Sequence, residues 1–237
     1  MSLFSNSLAP WRAAVPLLFL CVSIPVLAQH RAAQRESDPV KTYGSKSAPI
    51  TMEVYSDFQC PSCRSLYEQT LRPLINDYVA SGKVYLIHRD FPLQAHQYGL
   101  EAARWADAAA RVGKYPEVEA ALYDNQASWS VDGNIQKYVT TVLSAEEMKR
   151  VDRMVETCHA SPGVKPTQMT ARTARNLESN RGCVLDSDIE KDTALGHQIP
   201  VQQTPTSIVT YKGQHYPVIG VVSYPILKQF FDQLLRQ

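Results

Sequence analysis

Two cysteines in the stretch DFQCPSCRS (residues 57–65), Cys60 and Cys63, are separated only by Pro61 and Ser62. Such a pair can be half of a zinc site, a small structural staple, or a disulfide that opens and closes in turnover. Its surroundings bear on the choice. PITMEVYSDF (49–58) has the marks of a buried strand in Ile50, Met52, Val54 and Tyr55, and it runs directly into Cys60. Residues 60–80 follow as a helix, with Leu66, Leu71, Leu74, Ile75 and Tyr78 at helical spacing. Cys60 therefore opens a helix, where unpaired N–H groups and the positive end of the helix dipole converge. Those groups favour the nucleophilic thiolate over a thiol whose ordinary pKa is about 8.5. Cys63 lies further into the helix and is more enclosed. This assigns Cys60 as the attacking thiol and Cys63 as the resolving one.

The elements that must hold this pair follow from pattern. Pro73 predicts a kink in the first helix, and Ser81-Gly82 ends it. KVYLIHRDF (83–91) is a second strand, stopped by Pro92. From about 94 to 178 the pattern is helical, beginning with the alanine-rich run through Ala102, Ala106 and Ala110. Further helices are expected at 116–125, 131–142, 144–157, 168–179 and 186–196, with a Pro-rich break at 161–168. Ser144 followed by Glu147 resembles a capping box. TSIVTYKG (206–213), a turn at Lys212-Gly213 and HYPVIGVV (215–222) form a hairpin, which Pro217 places at a sheet edge. SYPILKQFFDQLLRQ closes the chain as an amphipathic helix, with Ser223 as N-cap and Pro225 in its first turn. This order predicts an α/β fold in which an initial βαβ unit and a final β-hairpin and helix share one sheet. Residues 46–93 and 197–237 would form the sheet domain, 94–196 a helical insertion, and 29–45 a polar lead-in.

A net charge of +1 with no Lys/Arg run gives no electrostatic footprint for nucleic acid. Arg12 precedes the apolar run AAVPLLFLCVSIPVLA (13–28), which reads as a secretory signal cleaved after Ala28. The competing reading is an uncleaved anchor, for which the run is short and interrupted by Pro16 and Pro25. Cleavage removes Cys21 and leaves Cys60, Cys63, Cys158 and Cys183, and an even set in an oxidising compartment favours disulfides over metal. Of the possible pairings, the short spacing favours Cys60 with Cys63. That leaves Cys158 with Cys183 as a structural staple, stabilising by about 3 kcal/mol on a chain-entropy estimate. Zinc would have to recruit Cys158, His159 and Cys183, at spacings that match no ordinary ligand pattern. Glu53 and Asp57 precede the cysteines and are candidates to relay a proton, with turn-capping the simpler role for Asp57. His88 and His96 read as packing or surface residues, and Trp105, Trp129 and Tyr123 as filling of the helical block.

VYSDFQCPSC, GKVYLIHRDFPL, HQYGLEAARWADAA, DNQASW and QQTPTSIV, in that order, resemble the DsbA-like thioredoxin-fold family of exported thiol–disulfide oxidoreductases. The resemblance runs over residues 43–236 and implies a thioredoxin fold carrying a helical insertion. It also implies a cis bond between Thr204 and Pro205 lying against the active pair. The backbone of Thr204 would then be presented to an extended substrate strand. It implies no small-molecule cofactor, because the redox-active Cys60–Cys63 disulfide carries the electrons. The partners it implies are cysteine-containing exported proteins and a membrane quinone-linked reoxidase of the DsbB or vitamin K epoxide reductase type. The protein would be a periplasmic or extracellular monomer. Ser62 departs from the pattern, since the best-known oxidases of the family have histidine there, and a histidine helps stabilise the thiolate. Thr204 is shared with the family's isomerases. Those carry an N-terminal dimerisation domain, for which the segment before residue 49 leaves no room. The expectation is a dithiol oxidase. The alternatives are a reductase or isomerase of the same fold, or a peptide-binding module whose CxxC is a permanent staple.

Overall fold

Strand β2, Ile50–Ser56, is buried along the face of Ile50, Met52 and Val54, and on the other face Tyr55 is buried while Thr51 and Glu53 are half-buried. Such a strand must be covered on both faces. In the computed structural model, which describes residues 41–160, 183–199 and 201–237, β2 is the middle strand of five. The others are β1 (Thr42–Tyr43), β3 (Val84–Asp90), β4 (Thr206–Tyr211) and β5 (Gln214–Ile219), in the order β1-β3-β2-β4-β5. β2 and β3 are parallel, with Val54 opposite His88 and Ser56 opposite Asp90. β4 runs antiparallel to β2 and brings Ser207 opposite Val54. β5 takes the edge position that suits Pro217.

Helix α1 crosses from β2 to β3 as one continuous helical run: Pro61–Leu66, Tyr67–Leu71, Arg72–Leu74 and Ile75–Val79. The second and fourth of these segments are wider π-turns. Pro73 lacks an N–H and would clash with the preceding turn. The chain absorbs it through the π-turn ahead of it rather than by breaking. Leu66, Leu71 and Leu74 of α1 share one core with Ile50, Met52 and Val54 of β2. Leu227, Phe231 and Leu234 of the last helix, α8 (Tyr224–Leu235), complete it. Each such side chain contributes roughly 1.5–3 kcal/mol on burial. Tyr55, Phe91 and Val201 form a second, smaller cluster.

Between β3 and β4 lie α2 (Gly99–Ala110), α3 (Tyr115–Asp124), α4 (Gln126–Asp132), α5 (Ile135–Val139), α6 (Ala145–Ala160) and α7 (Val184–Gln198). This is the helical insertion, and the whole is a mixed α/β thioredoxin-like fold. The helix expected over 131–142 is instead two helices. α4 ends at Gly133, whose φ of 71° stops the helix and starts a new turn. Ser144 and Glu147 form the reciprocal capping box, with Glu147 Oε2 2.8 Å from Ser144 N and Ser144 Oγ 3.3 Å from Glu147 N. The expected signal peptide at 1–28, the break at 161–168 and the helix at 168–179 lie outside the described residues.

The lead-in differs from its polar reading. Thr42 and Tyr43 pair antiparallel with Ile87 and Leu86. Lys41 is buried, its ammonium against Asp90, 2.7 Å from Asp192 and 3.0 Å from Asp107. Burial would lower the Lys41 pKa, but the three carboxylates raise it above the usual lysine value. A two-residue strand has no periodicity to read, and its tether is an ion cluster formed with residues far along the chain.

Candidate active site

The chain enters the site at the end of β2. Ser56 is the last strand residue, and Asp57 to Gln59 make the turn into α1. Cys60 is the N-cap of α1 (φ −74°, ψ 122°) with Pro61 at the first helical position. Both cysteines are unbonded in this structure. Cys60 is 7 % exposed and Cys63 1 %, the inequality that an attacking and a resolving thiol require.

The two sulfurs are driven apart electrostatically. The Cys60 pKa is lowered to about 5. The largest cause is the hydrogen bond from Cys63, which prevails over burial and is joined by Thr204 and the N–H groups of Cys63 and Ser62. Cys63 is pushed well above the ordinary thiol value, first by burial and then by its bond to, and the charge of, Cys60. One thiol is thus ionised at neutral pH and the other keeps its proton. The backbone N–H of Asp57, 3.5 Å from Cys63 Sγ, and the Ser56 hydroxyl work in the opposite sense and favour the Cys63 thiolate.

Thr204 and Pro205 arrive from the far end of the chain, ahead of β4. Their peptide bond is cis. In its protonated form Cys60 Sγ donates toward the Thr204 carbonyl oxygen at 3.5 Å. The Thr204 hydroxyl is buried with no hydrogen-bond partner, and Thr204 is among the groups that lower the Cys60 pKa. Gly220 N–H donates to the Pro205 carbonyl at 2.8 Å, tying this loop to the end of β5.

The two acids read from the sequence behave differently. The Asp57 carboxylate is fully engaged. It accepts from Gln59 N and Leu93 N, each at 2.7 Å, and lies 2.7 Å from His96 Nδ1. It also abuts the start of α2, where a Cβ on Gly99 would come within 2.7 Å of Asp57 Oδ1, so only glycine allows the approach. Asp57 therefore clamps the active turn to the insertion, and only its backbone touches Cys63. Glu53 is not brought to the sulfurs. Its carboxylate takes two bonds from Arg89, at 2.7 and 2.9 Å, on the strand face opposite Met52 and Val54. Arg89 in turn reaches Asp192 at 3.0 Å.

Several positioning residues escaped the sequence reading. Gln126 Nε2 donates to Phe58 O at 2.6 Å and to Cys60 O at 3.0 Å. Gln59 bonds Tyr98 N at 2.6 Å and Ser130 O at 3.3 Å. His88, read as packing or surface, is buried and charged. Burial would lower its pKa, but Asp90 and Glu119 raise it to about 9. Its ring stacks on Phe58, with centroids 5.1 Å apart. A glutamine or histidine at these positions carries no periodic signal, because its partners are brought together only by the fold. Cys158 and Cys183 are joined in a disulfide between α6 and the start of α7. Both are thereby consumed as completing ligands for a zinc site at Cys60 and Cys63.

Comparison with known proteins agrees with this geometry. A family model described as Thioredoxin matches residues 36–212. Among solved structures, BdbD from Bacillus subtilis superposes with a TM-score of 0.59 at 15% identity, over 85% of this chain and 97% of that one. Wolbachia pipientis alpha-DsbA1 gives 0.54 at 20% identity, over 82% and 89%. A thioredoxin-like oxidoreductase from Silicibacter pomeroyi gives 0.57 at 21%, over 83% and 92%. Curated relatives include the Na(+)/H(+) antiporters NhaA 3 of Salinispora tropica, 37% identical over 84 residues, and NhaA 1 of Mycolicibacterium vanbaalenii, 32% identical over 153 residues. The matches cover 35% and 63% of this chain but only 12% and 23% of those proteins. Among the described residues no helix is long and apolar enough to cross a membrane. A buried strand delivering a CxxC to a helix start, faced by a cis Thr-Pro and capped by an inserted helical block, makes this chain a member of the thioredoxin family with the fold of its DsbA-type proteins.

Proposed function

We propose that this protein is an exported dithiol oxidase that donates its Cys60–Cys63 disulfide to cysteine pairs of other exported proteins. The observation that carries the proposal is Cys60 at the start of α1, where Cys63, Thr204 and two helix N–H groups lower its pKa to about 5. Stabilising the thiolate stabilises the reduced form, and a protein whose reduced form is stabilised is an oxidant. Ser62 provides no side-chain charge of its own, and the groups that lower the Cys60 pKa are Cys63, Thr204 and the backbone N–H groups of Cys63 and Ser62.

The reaction balances on two sulfurs. A substrate thiolate attacks Cys60 Sγ, the Cys60–Cys63 bond breaks, and Cys63 takes a proton from solvent. The second substrate thiol, losing its proton, then attacks the substrate sulfur of the mixed disulfide and expels Cys60 as a thiolate. The two electrons pass on to a membrane quinone-linked reoxidase of the DsbB or vitamin K epoxide reductase type, which returns the pair to the disulfide. Exposed Ile219 and Val221 flank Gly220 beside the Pro205 loop, a surface suited to unfolded protein segments. The N-terminal segment, read as a signal cleaved near Ala28, would place the mature monomer in the periplasm or outside the cell.

The test is oxidation of a reduced dithiol peptide by the isolated oxidised protein without other redox components. One disulfide per protein molecule is expected, with none from Cys60→Ser. No transfer from the oxidised parent would leave the reductase or the peptide-binding module as the reading. Rapid reshuffling of a scrambled substrate without net oxidation would favour the isomerase.

A further inference from the structure

The peptide unit joining Ser56 to Asp57 is held at its oxygen. The N–H of Phe91, the residue after β3, donates to the Ser56 carbonyl at 2.8 Å. In a trans peptide the N–H points opposite to the carbonyl, and here the Asp57 N–H points at Cys63 Sγ, 3.5 Å away. The rest of Asp57 keeps this unit from turning. Its own carbonyl accepts from the Cys60 N–H at 3.0 Å. Its carboxylate accepts from Gln59 N and Leu93 N and meets His96 Nδ1, each at 2.7 Å. Phe91, Leu93 and His96 all lie on the segment leaving β3, so one stretch of chain fixes the peptide from both sides. Asp57 and Cys63 are each 1 % exposed. A charge on a sulfur that deep is stable only where donors within the protein face it.

We infer that the Ser56–Asp57 peptide is the donor that meets the charge on Cys63 whenever the Cys60–Cys63 bond opens or closes, and that the Asp57 carboxylate, latched to Leu93 and His96, holds it there. The Asp57 N–H touches a reacting atom and is a catalytic group; His96 acts through the carboxylate and is a positioning residue. When a substrate thiolate attacks Cys60, the electron pair of the breaking S–S bond moves to Cys63. The N–H faces that charge until a proton from solvent neutralises it. In closure Cys63 gives its proton to solvent and attacks Cys60 Sγ, and the departing sulfur leaves as a thiolate. The role holds for either direction of electron flow and rests on the pair being redox-active. It also differs in kind from a proton relay, because the carboxylate is used as an acceptor of fixed N–H groups.

Reduced protein mixed with excess dithiobis(nitrobenzoate) reports the two sulfurs in turn. The Cys60 thiolate attacks first, breaking the reagent's S–S bond and releasing one coloured thiolate. Cys63 then closes on the mixed disulfide and releases the second, at a rate independent of reagent concentration. Releasing the latch with Asp57→Ala should lower the Cys63 thiolate fraction about tenfold, the scale of a lost hydrogen bond to a charged group. The more basic sulfur is also the better nucleophile, so the second phase should slow by about three- to fourfold, and by more than the first. Asp57→Asn keeps one acceptor of the latch and no ionisable group, and should recover part of that rate. His96→Ala leaves Gln59 N and Leu93 N on the carboxylate and should fall between the parent and Asp57→Ala. If Asp57→Ala does not fold, the other two variants still decide, since each should slow the second phase relative to the first. Asn as slow as Ala would make Asp57 a proton relay and overturn the inference. A second phase faster than the parent's in Asp57→Asn would mean that the carboxylate acts on Cys63 by its charge, and would overturn it too. Parent ratios in every variant would remove the latch and leave the redox reading standing. A parent that releases no second thiolate would end both.

Discussion

The carbonyl oxygen of Thr204 lies 3.5 Å from Cys60 Sγ across 144 residues of sequence. β4 delivers this contact by pairing antiparallel with β2, so that the loop before one strand meets the helix start after the other. The site is therefore a property of the sheet, and its chemistry is sensitive to what Thr204 presents.

The first prediction concerns that contact. In the reduced protein, iodoacetamide should react with Cys60 in proportion to its thiolate, with a midpoint near pH 5. Thr204→Val removes a hydroxyl that favours the Cys60 thiolate and should move the midpoint upward. A midpoint near 8.5 in the parent would mean that the helix start and Thr204 leave the thiol at its ordinary value.

The second concerns stability and has a definite sign. The folded Cys60 pKa is depressed, so the reduced form gains stability that is full above the unfolded thiol value near 9 and lost as pH falls through about 5. Oxidised protein has no such titration. Melting both forms between pH 5 and 8 should show the reduced form gaining on the oxidised one as pH rises, and parallel curves would contradict this.

How much of this was legible in the sequence depends on the kind of interaction. Strand β2, helix α1 and the C-terminal hairpin and helix were readable because each buries an apolar face at its own period. Cys60 and Cys63 were readable because a CxxC at a strand-to-helix junction carries its mechanism locally. Lys41, Ser56, His88 and Gln126 were not. Each is a polar residue with a partner tens of residues away, and a buried hydrogen bond has no sequence period. Glu53 and Asp57 illustrate the same limit: being near Cys60 in sequence says nothing about which face of β2 a carboxylate takes.

A third prediction comes from one of those illegible residues. The folded His88 pKa is raised to about 9 by Asp90 and Glu119 against the effect of burial. Its contribution to stability is full below the unfolded value of about 6.5 and is lost as pH rises through about 9. In the oxidised form, where Cys60 does not titrate, the melting temperature should fall between pH 7 and 9. His88→Gln should flatten that fall while lowering stability at pH 6.

A fourth concerns Gln126. Gln126→Leu removes the donor to Phe58 O and Cys60 O; Cys60 O keeps the N–H groups of Cys63 and Arg64, while Phe58 O loses its side-chain donor in the interior. Urea unfolding should show a loss of roughly 1–3 kcal/mol, and the Cys60 alkylation rate should fall as the turn loosens. An unchanged unfolding midpoint would mean that water replaces the side chain without cost.

The central claim is that this pair oxidises. Its reduction potential, from equilibration with glutathione redox buffers, tests that most directly. A thiolate held as Cys60 is held predicts a value well above the roughly −270 mV of thioredoxin, toward the roughly −120 mV of a strong oxidant. A value at or below −270 mV on that scale would contradict the account and make the protein a reductase.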